Sequence, residues 1–106
     1  VQAQLADTHA ELLAGRAMVR DVAARYDSGE DTSVGPSSAK LFCTEVQARA
    51  VDRCLQLFGG YGYMAETPVA RAWADARVTR IAGGAAEVMK EIIGRRLFAA
   101  FLAARG

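Results

Sequence analysis

The sequence predicts an all-α protein, an antiparallel helical bundle within a single domain. Apolar residues recur with helical spacing along most of the 106 residues, and no segment alternates with the period of a strand. Both prolines fall at joints between the predicted helices. A chain of this length forms one domain at most, so the helices are expected to share one core.

The first helix is predicted over about residues 2–27. Every seventh residue from Leu5 to Tyr26 is apolar, and other apolar residues extend the same face. Residues 27–36 are mostly polar and contain two glycines and a proline, which predicts a surface loop. A loop of this kind lets the next helix run antiparallel to the first.

The second helix is predicted to begin at Ser37 or Ser38, either of which can cap it, and to run to Phe58. Its apolar residues cover most of its circumference rather than one stripe. A helix with this pattern is normally the buried one of a bundle. We therefore expect it at the centre.

Two further helices are predicted after a glycine-rich turn. Thr67 can serve as an N-cap and Pro68 suits the first helical position, which predicts a short helix through about residues 69–76. Residues 77–82 are expected to form a brief extended connector. The last helix opens at residues 83–85 and presents one apolar side.

Composition excludes several classes of partner and site. The chain has 13 Lys and Arg against 12 Asp and Glu, a net charge of +1, so neither nucleic acid nor an anionic membrane is expected as the main partner. No apolar stretch approaches the ~20 residues of a membrane span, and the polar first residues do not indicate a signal peptide. His9 is the single histidine, without Cys or His at ligand spacing, so neither a zinc site nor a Ser-His-Asp triad is expected.

The two cysteines are predicted to be unpaired. Cys43 and Cys54 are eleven residues apart on one predicted helix, which separates them by about 16 Å along its axis. A disulfide requires Cα atoms within about 7 Å. We expect two buried, reduced thiols, which are typical of a cytosolic or matrix protein.

Two glycine pairs, Gly59-Gly60 and Gly83-Gly84, stand beside long predicted helices. Backbone without side chains lets a phosphate or cofactor lie directly on N–H groups. The second pair also precedes a helix N-terminus, where the macrodipole favours an anion. Neither pair follows a strand, which excludes a Walker loop or a Rossmann fingerprint. From these residues alone, ligand contacts and simple helix-joining turns both remain open.

Four blocks of residues follow one another along the chain: DRCLQLFGGYGY over 52–63, a proline at 68, DARV over 75–78 and IAGGAAEVMKEIIGR over 81–95. In order and spacing they resemble the C-terminal part of the acyl-CoA dehydrogenases. The resemblance covers essentially the whole chain. The run that begins at the second glycine pair is most similar to the long-chain branch of that family.

The resemblance implies that residues 1–106 are the C-terminal helical domain, most of a four-helix bundle, of a flavoenzyme several times longer. It implies FAD as the cofactor and a homo-oligomer, either a dimer or a tetramer. It also implies oxidation of an acyl-CoA substrate to the 2-enoyl-CoA, with an electron-transfer flavoprotein as partner, in the bacterial cytoplasm or the mitochondrial matrix. The isolated chain is expected to be inactive.

Carried over residue by residue, the first motif implies that Gln56, Gly59 and Gly60 contact the ADP part of FAD held mainly by a neighbouring subunit. The chemistry agrees with this assignment. The Gln side chain offers an amide for hydrogen bonding, and the two glycines offer bare backbone for a pyrophosphate.

The second corner, by the same resemblance, faces the flavin and the substrate thioester. It implies substrate contacts from Gly83 and Gly84 and cofactor contacts from Ala85 and Glu87. Glu87 is also an acid in the first turn of the last helix, where it interacts favourably with the macrodipole.

The second corner departs from the usual family pattern. Many members read Tyr-Glu-Gly-Thr here, and the Glu removes the α-proton of the acyl-CoA. In this chain the base position is Gly83, which has no side chain for proton transfer, and the Thr position is Ala85. In the long-chain and isovaleryl branches the base lies on an earlier helix, which would place it upstream of Val1. Alternatively, the protein is a non-catalytic paralogue or assembly module that completes FAD sites on a partner subunit.

Overall fold

The computed structural model describes residues 1–82 and 84–105. These residues form five α-helices, α1 (Gln2–Asp27), α2 (Val34–Phe58), α3 (Gly60–Tyr63), α4 (Pro68–Thr79) and α5 (Ala86–Arg105). The described ranges contain no strand, so the predicted all-α class is confirmed. No helix within these ranges is long and apolar enough to cross a membrane.

The second helix, α2, is the centre of the fold. Helices α1, α4 and α5 each pack against α2, and within the described part of the chain they do not pack against one another. Along α1 and α2 the contacts run in opposite directions, since Arg53 donates to Thr8 while Cys43, ten residues earlier, lies against the Gly15 carbonyl. The two helices are therefore antiparallel, and the predicted central position of α2 is correct.

Helix α4 also runs antiparallel to α2. The Trp73 indole N–H donates to Asp52 at 3.1 Å, and the Thr79 hydroxyl lies 3.4 Å from the Gln47 amide oxygen. The chain thus returns along α2 after the turn at its C-terminal end. This return brings the end of α4, and the segment that follows it, back to the N-terminal half of α2.

The core is shallow. Among the described residues the buried apolar ones are Val46, Ala76 and Met89, one each from α2, α4 and α5. The radius of gyration is 16.8 Å, whereas a compact domain of this length has about 13 Å. The predicted apolar face of α1 stays largely open, with Leu5 and Tyr26 each 55% exposed. Many large apolar side chains of the described helices therefore remain exposed.

Both predicted limits of α1 and the predicted end of α2 agree with the structure, but the predicted start of α2 does not. Helix α1 has the predicted range, and α2 ends at Phe58 as predicted. However, α2 begins at Val34, so the prediction of a cap at Ser37 or Ser38 is wrong. Ser37 is buried inside the helix instead, and its N–H donates to the carbonyl of Ser33.

The cap of α2 comes from Asp31. Its carboxylate accepts hydrogen bonds from the N–H groups of Ser33 at 3.1 Å and Gly35 at 2.7 Å. The bond from Ser33 is the main cause that lowers the pKa of Asp31. Pro36 fits within the first turn, because the first four N–H groups of a helix have no intrahelical acceptor.

Helix α4 begins at Pro68 as predicted but extends to Thr79. The prediction of an extended connector over residues 77–82 is therefore wrong. No glycine or proline interrupts the segment from Val69 to Ala82, so the helix continues until it closes in a turn in which the Ala82 N–H donates to the Val78 carbonyl at 2.9 Å.

Both cysteines are free, but only one is even partly buried. Cys43 is half-buried against α1, with its sulfur 3.9 Å from the Gly15 carbonyl oxygen, and burial raises the pKa of its thiol. Cys54 is exposed, so the prediction that it is buried is wrong. The reason is that no described helix covers its side of α2.

Candidate functional site

The first glycine corner is the junction between α2 and α3. Gly59 ends α2 with a φ of 62°, a conformation that residues with a Cβ rarely adopt. Its N–H donates to the Gln56 carbonyl at 3.0 Å. Gly60 follows as the first residue of α3. The structure therefore brings Gln56, Gly59 and Gly60 together within one turn of chain.

This corner is open on its outer side. A Cβ added at Gly59 or at Gly60 would meet no described atom within 4 Å, and both residues are exposed. Gln56 is exposed as well, so its amide is free to bind another molecule. A flat group can thus approach the backbone of both glycines directly, and any larger side chain would occupy that space.

Side-chain bonds to the backbone hold the turn between α3 and α4. The Thr67 hydroxyl donates to the Tyr61 carbonyl at 2.7 Å. The Arg71 guanidinium donates to the carbonyls of Ala65 and Glu66, at 3.1 and 3.0 Å. Arg71 therefore stabilises this turn, a role that no sequence pattern indicates because its acceptors are backbone atoms.

The second corner lies between α4 and α5. Gly83, predicted to contact substrate and to occupy the usual base position, lies outside the described residues. Gly84 has a φ of 125°, and a Cβ added there would lie 2.6 Å from the Met89 methyl carbon. Glycine at 84 is thus needed for the backbone conformation and for the packing of Met89.

The two predicted cofactor contacts of this corner differ in exposure. Ala85 is half-buried, and its carbonyl accepts the Met89 N–H at 3.0 Å. Glu87 is exposed in the first turn of α5. Its side chain hydrogen-bonds to no described residue, so its carboxylate is available to the helix dipole and to solvent.

A residue that the sequence did not single out, Lys40, joins α2 to this corner. Its ammonium donates to the Ala82 carbonyl at 2.6 Å and to the Gly84 carbonyl. The acceptors lie 42 and 44 residues further along the chain. No local pattern can indicate such a contact, because it depends on the return of α4 along α2.

A polar groove lies beside the second corner. It has a volume of about 170 Å³ and is lined in part by Arg77, Arg80 and Glu45, together with Ala85 and Glu87. The Arg80 Nε is buried and has no hydrogen-bond partner among the described residues. The groove thus brings basic and acidic side chains close to the predicted cofactor contact Ala85.

A larger cavity lies elsewhere. It is an apolar groove of about 400 Å³ between α1 and α2, lined by residues such as Leu12, Val19, Val46 and Val51. None of the predicted site residues lines it. We therefore assign the candidate site from the two corners rather than from cavity size.

The two corners lie at opposite ends of α2. Lys40, which holds the second corner, precedes Gly59 by nineteen residues on that helix. This spacing corresponds to about 28 Å along the axis. The structure therefore places the predicted site residues in two separate corners and does not bring all of them together.

Comparison with known proteins agrees with this architecture. A sequence profile described as "Acyl-CoA dehydrogenase, C-terminal domain" matches residues 1–98. The long-chain specific acyl-CoA dehydrogenase of Rattus norvegicus, a mitochondrial protein, is 39% identical over 97 residues. That match covers 92% of this chain and 23% of the rat protein, so this chain spans about a quarter of the relative's length.

Solved structures match the same region. An acyl-CoA dehydrogenase from Geobacillus kaustophilus superposes with a TM-score of 0.87 at 39% identity, over 92% of this chain and 26% of that one. The FAD complex of PigA superposes with a TM-score of 0.84 at 26% identity, over 91% of this chain and 25% of that one. The helices described above are thus a known arrangement within larger proteins.

Proposed function

The chain belongs to the family of acyl-CoA dehydrogenase C-terminal domains, and on this premise we propose that residues 1–106 serve as the FAD-contacting and oligomerisation domain of a flavin-dependent acyl-CoA dehydrogenase. The whole protein, here called the full-length protein, would oxidise an acyl-CoA thioester to the 2-enoyl-CoA. The observation that carries the proposal is the open backbone at Gly59 and Gly60, where nothing in the described chain fills the space of a side chain.

The first corner fits the ADP part of FAD. Gln56 supplies amide donors and an acceptor, and the bare backbone of Gly59 and Gly60 admits a pyrophosphate at short range. Bound FAD supplies the electron acceptor for the oxidation. The role of this chain's residues is to hold and orient the nucleotide end.

The second corner has the complementary role in this proposal. Gly83 and Gly84 would face the thioester end of the substrate, and Ala85 and Glu87 would lie at the flavin. Gly83 cannot act as the base because it has no side chain. We therefore assign proton abstraction to a group outside this chain, as the resemblance to the long-chain branch implies.

We propose a homo-oligomer, dimer or tetramer, and two observations support it. The corners are about 28 Å apart along α2, so the first corner of one subunit is free to complete a site on another. Large apolar side chains also remain exposed on α5, among them Leu97 and Phe98 at 59% and 62%, and such surface favours association.

We further propose an electron-transfer flavoprotein as redox partner, with the bacterial cytoplasm, or else the mitochondrial matrix, as the location.

Two valine variants of the full-length protein test the FAD contact. At Gly60 and at Gly94 an added Cβ meets no described atom within 4 Å, and neither residue has a positive φ. Both variants therefore add a Cβ that meets no described atom of this chain. We expect Gly60→Val to weaken FAD binding by about tenfold or more, equivalent to 1.4 kcal/mol, while Gly94→Val retains FAD. Equal FAD retention in both variants would contradict the assignment.

The second candidate function is the non-catalytic paralogue or assembly module. The observation that favours it is the absence of both an acid at position 83 and a hydroxyl at position 85 of the sequence. Such a protein would still lose FAD in Gly60→Val. It would differ from the dehydrogenase in one respect, since an acyl-CoA would not reduce its bound flavin.

A further inference from the structure

Lys40 is the single side chain among the described residues that hydrogen-bonds to the backbone of the second corner. Its Nζ donates to the Ala82 carbonyl at 2.6 Å and to the Gly84 carbonyl. These two carbonyls belong to the residues on either side of position 83. The corner is thereby attached to α2, the central helix, from both sides of the position that would face the substrate.

The bonds are of a strong class. An ammonium has three N–H donors and no acceptor, so it can bind two carbonyls at once. Hydrogen bonds from a charged donor are about twice as strong as neutral ones. The other bonds that the described residues make at the corner are backbone to backbone, such as the Ala86 N–H to the Arg80 carbonyl at 3.1 Å. Those bonds shape the turn locally, whereas Lys40 fixes its position relative to α2.

The packing around the corner depends on the same placement. Gly84 is held at a φ of 125° with Met89 close above it, and Met89 is only 8% exposed. The Lys40 Nζ lies 3.6 Å from the position that a Cβ at residue 84 would occupy. A substitution of Lys40 is therefore expected to affect the position of Gly84, which is already packed tightly against Met89.

We propose that Lys40 is a positioning residue, which sets the place of the substrate-facing corner by binding the carbonyls of Ala82 and Gly84. The statement that this corner faces the substrate rests on the proposed function. The attachment itself is a property of the fold and is tested without substrate or FAD.

Amine labelling of the full-length protein tests the attachment without a variant. The chain contains two lysines, Lys40 and Lys90. Lys90 is exposed, and its ammonium makes no hydrogen bond to a described residue. We expect reductive methylation of Lys40 to be about tenfold slower, or more, in the native than in the unfolded protein. Equal native and unfolded rates at Lys40 would overturn the proposal.

Hydrogen exchange then compares Lys40→Met with the matched control Lys90→Met. We expect Lys40→Met to raise the rate of amide exchange about tenfold in peptides that cover residues 81–89. The net contribution of a hydrogen bond to a charged group corresponds to a factor of about this size in the opening equilibrium. Peptides from α1 should be unchanged, and Lys90→Met should match the wild type. If Lys40→Met exchanges like Lys90→Met, the proposal is wrong. If Lys40→Met does not fold, the labelling result decides alone.

Kinetics of the full-length enzyme test the substrate-facing role. A displaced corner should lower kcat for an acyl-CoA by about tenfold or more with a smaller change in KM, because misplacement affects the reacting end most. Lys40→Arg keeps the charge and can donate to two carbonyls, so it should recover part of kcat. If Lys40→Met raises exchange at the corner but does not change kcat, Lys40 holds the corner but has no role in positioning it toward the substrate.

Discussion

Gly62 lies against Leu55 so closely that a Cβ added at Gly62 would be 2.5 Å from the Leu55 carbonyl oxygen and 2.9 Å from its Cγ. Gly62 is also buried, unlike Gly59 and Gly60. The three glycines of one motif therefore have different roles. Gly59 provides a φ of 62°, Gly60 provides open backbone, and Gly62 allows α3 to pack on the last turns of α2.

Replacing Gly62 by alanine should destabilise the fold. The added methyl group overlaps the Leu55 backbone, which cannot move without disturbing α2, and such overpacking costs about 1–3 kcal/mol. Gly94→Ala is the control, because its Cβ meets nothing within 4 Å in a helix interior. It should be neutral or stabilising by up to about 1 kcal/mol. Urea unfolding of both variants measures the difference, and equal midpoints would contradict this account of Gly62.

Glu11 connects α1 to α2 through two arginines. Its carboxylate accepts from Arg53 Nη2 and Arg49 Nε, each at 3.0 Å. The hydrogen bond from Arg53, followed by that from Arg49, lowers the pKa of Glu11. In a double-mutant cycle of Glu11→Gln and Arg53→Met, we expect that the changes in unfolding free energy of the two single variants do not add up to that of the double variant at neutral pH. The coupling should shrink near 1 M salt, where the Debye length is about 3 Å. Additive effects at low salt would exclude a contribution from this pair.

The Asp31 cap should make the stability of α2 depend on pH. The folded pKa of Asp31 is lowered, so its bonds to Ser33 and Gly35 stabilise the protein above the ordinary pKa of about 3.9 and are lost as the pH falls through the folded pKa. Asp31→Asn should be less stable than wild type at pH 7, and the gap should narrow below about pH 4. Thermal unfolding across this range measures the gap. A gap that stays constant would assign no role to the ionised carboxylate.

The two thiols should differ in reactivity. Cys43 is half-buried with a raised pKa, whereas Cys54 is exposed. The thiolate is the reactive form, so iodoacetamide should alkylate Cys54 faster than Cys43. Peptide mass spectrometry during a time course measures both rates in one sample. A faster reaction at Cys43 would contradict the packing of α1 on α2 at Gly15.

The parts of the fold that the sequence predicts correctly have local signals. The range of α1 follows from its heptad spacing, and the start of α4 follows from Pro68. The start of α2 is missed because Asp31, rather than Ser37 or Ser38, supplies the cap. Asp31 precedes the helix by three residues and competes with several other polar residues in the same loop.

At the candidate site, too, the features with a local sequence signal are predicted and the others are not. The open backbone at Gly59 and Gly60 was expected from the glycine pair, and the structure has it. The attachment by Lys40 could not be predicted, because it joins residues more than 40 positions apart. Nor could the packing of Gly62, which depends on how tightly the turn after Gly59 returns α3 to Leu55. Long-range geometry of this kind has no periodic pattern in the sequence.

We propose that this chain works within a flavin-dependent acyl-CoA dehydrogenase. The most direct measurement is the visible absorbance of the purified full-length protein under anaerobic conditions, before and after addition of short-, branched- and long-chain acyl-CoA thioesters. We predict a flavin spectrum that at least one of these thioesters bleaches, as the substrate reduces the bound FAD. A protein without flavin, or a bound flavin that no acyl-CoA reduces, would contradict the claim.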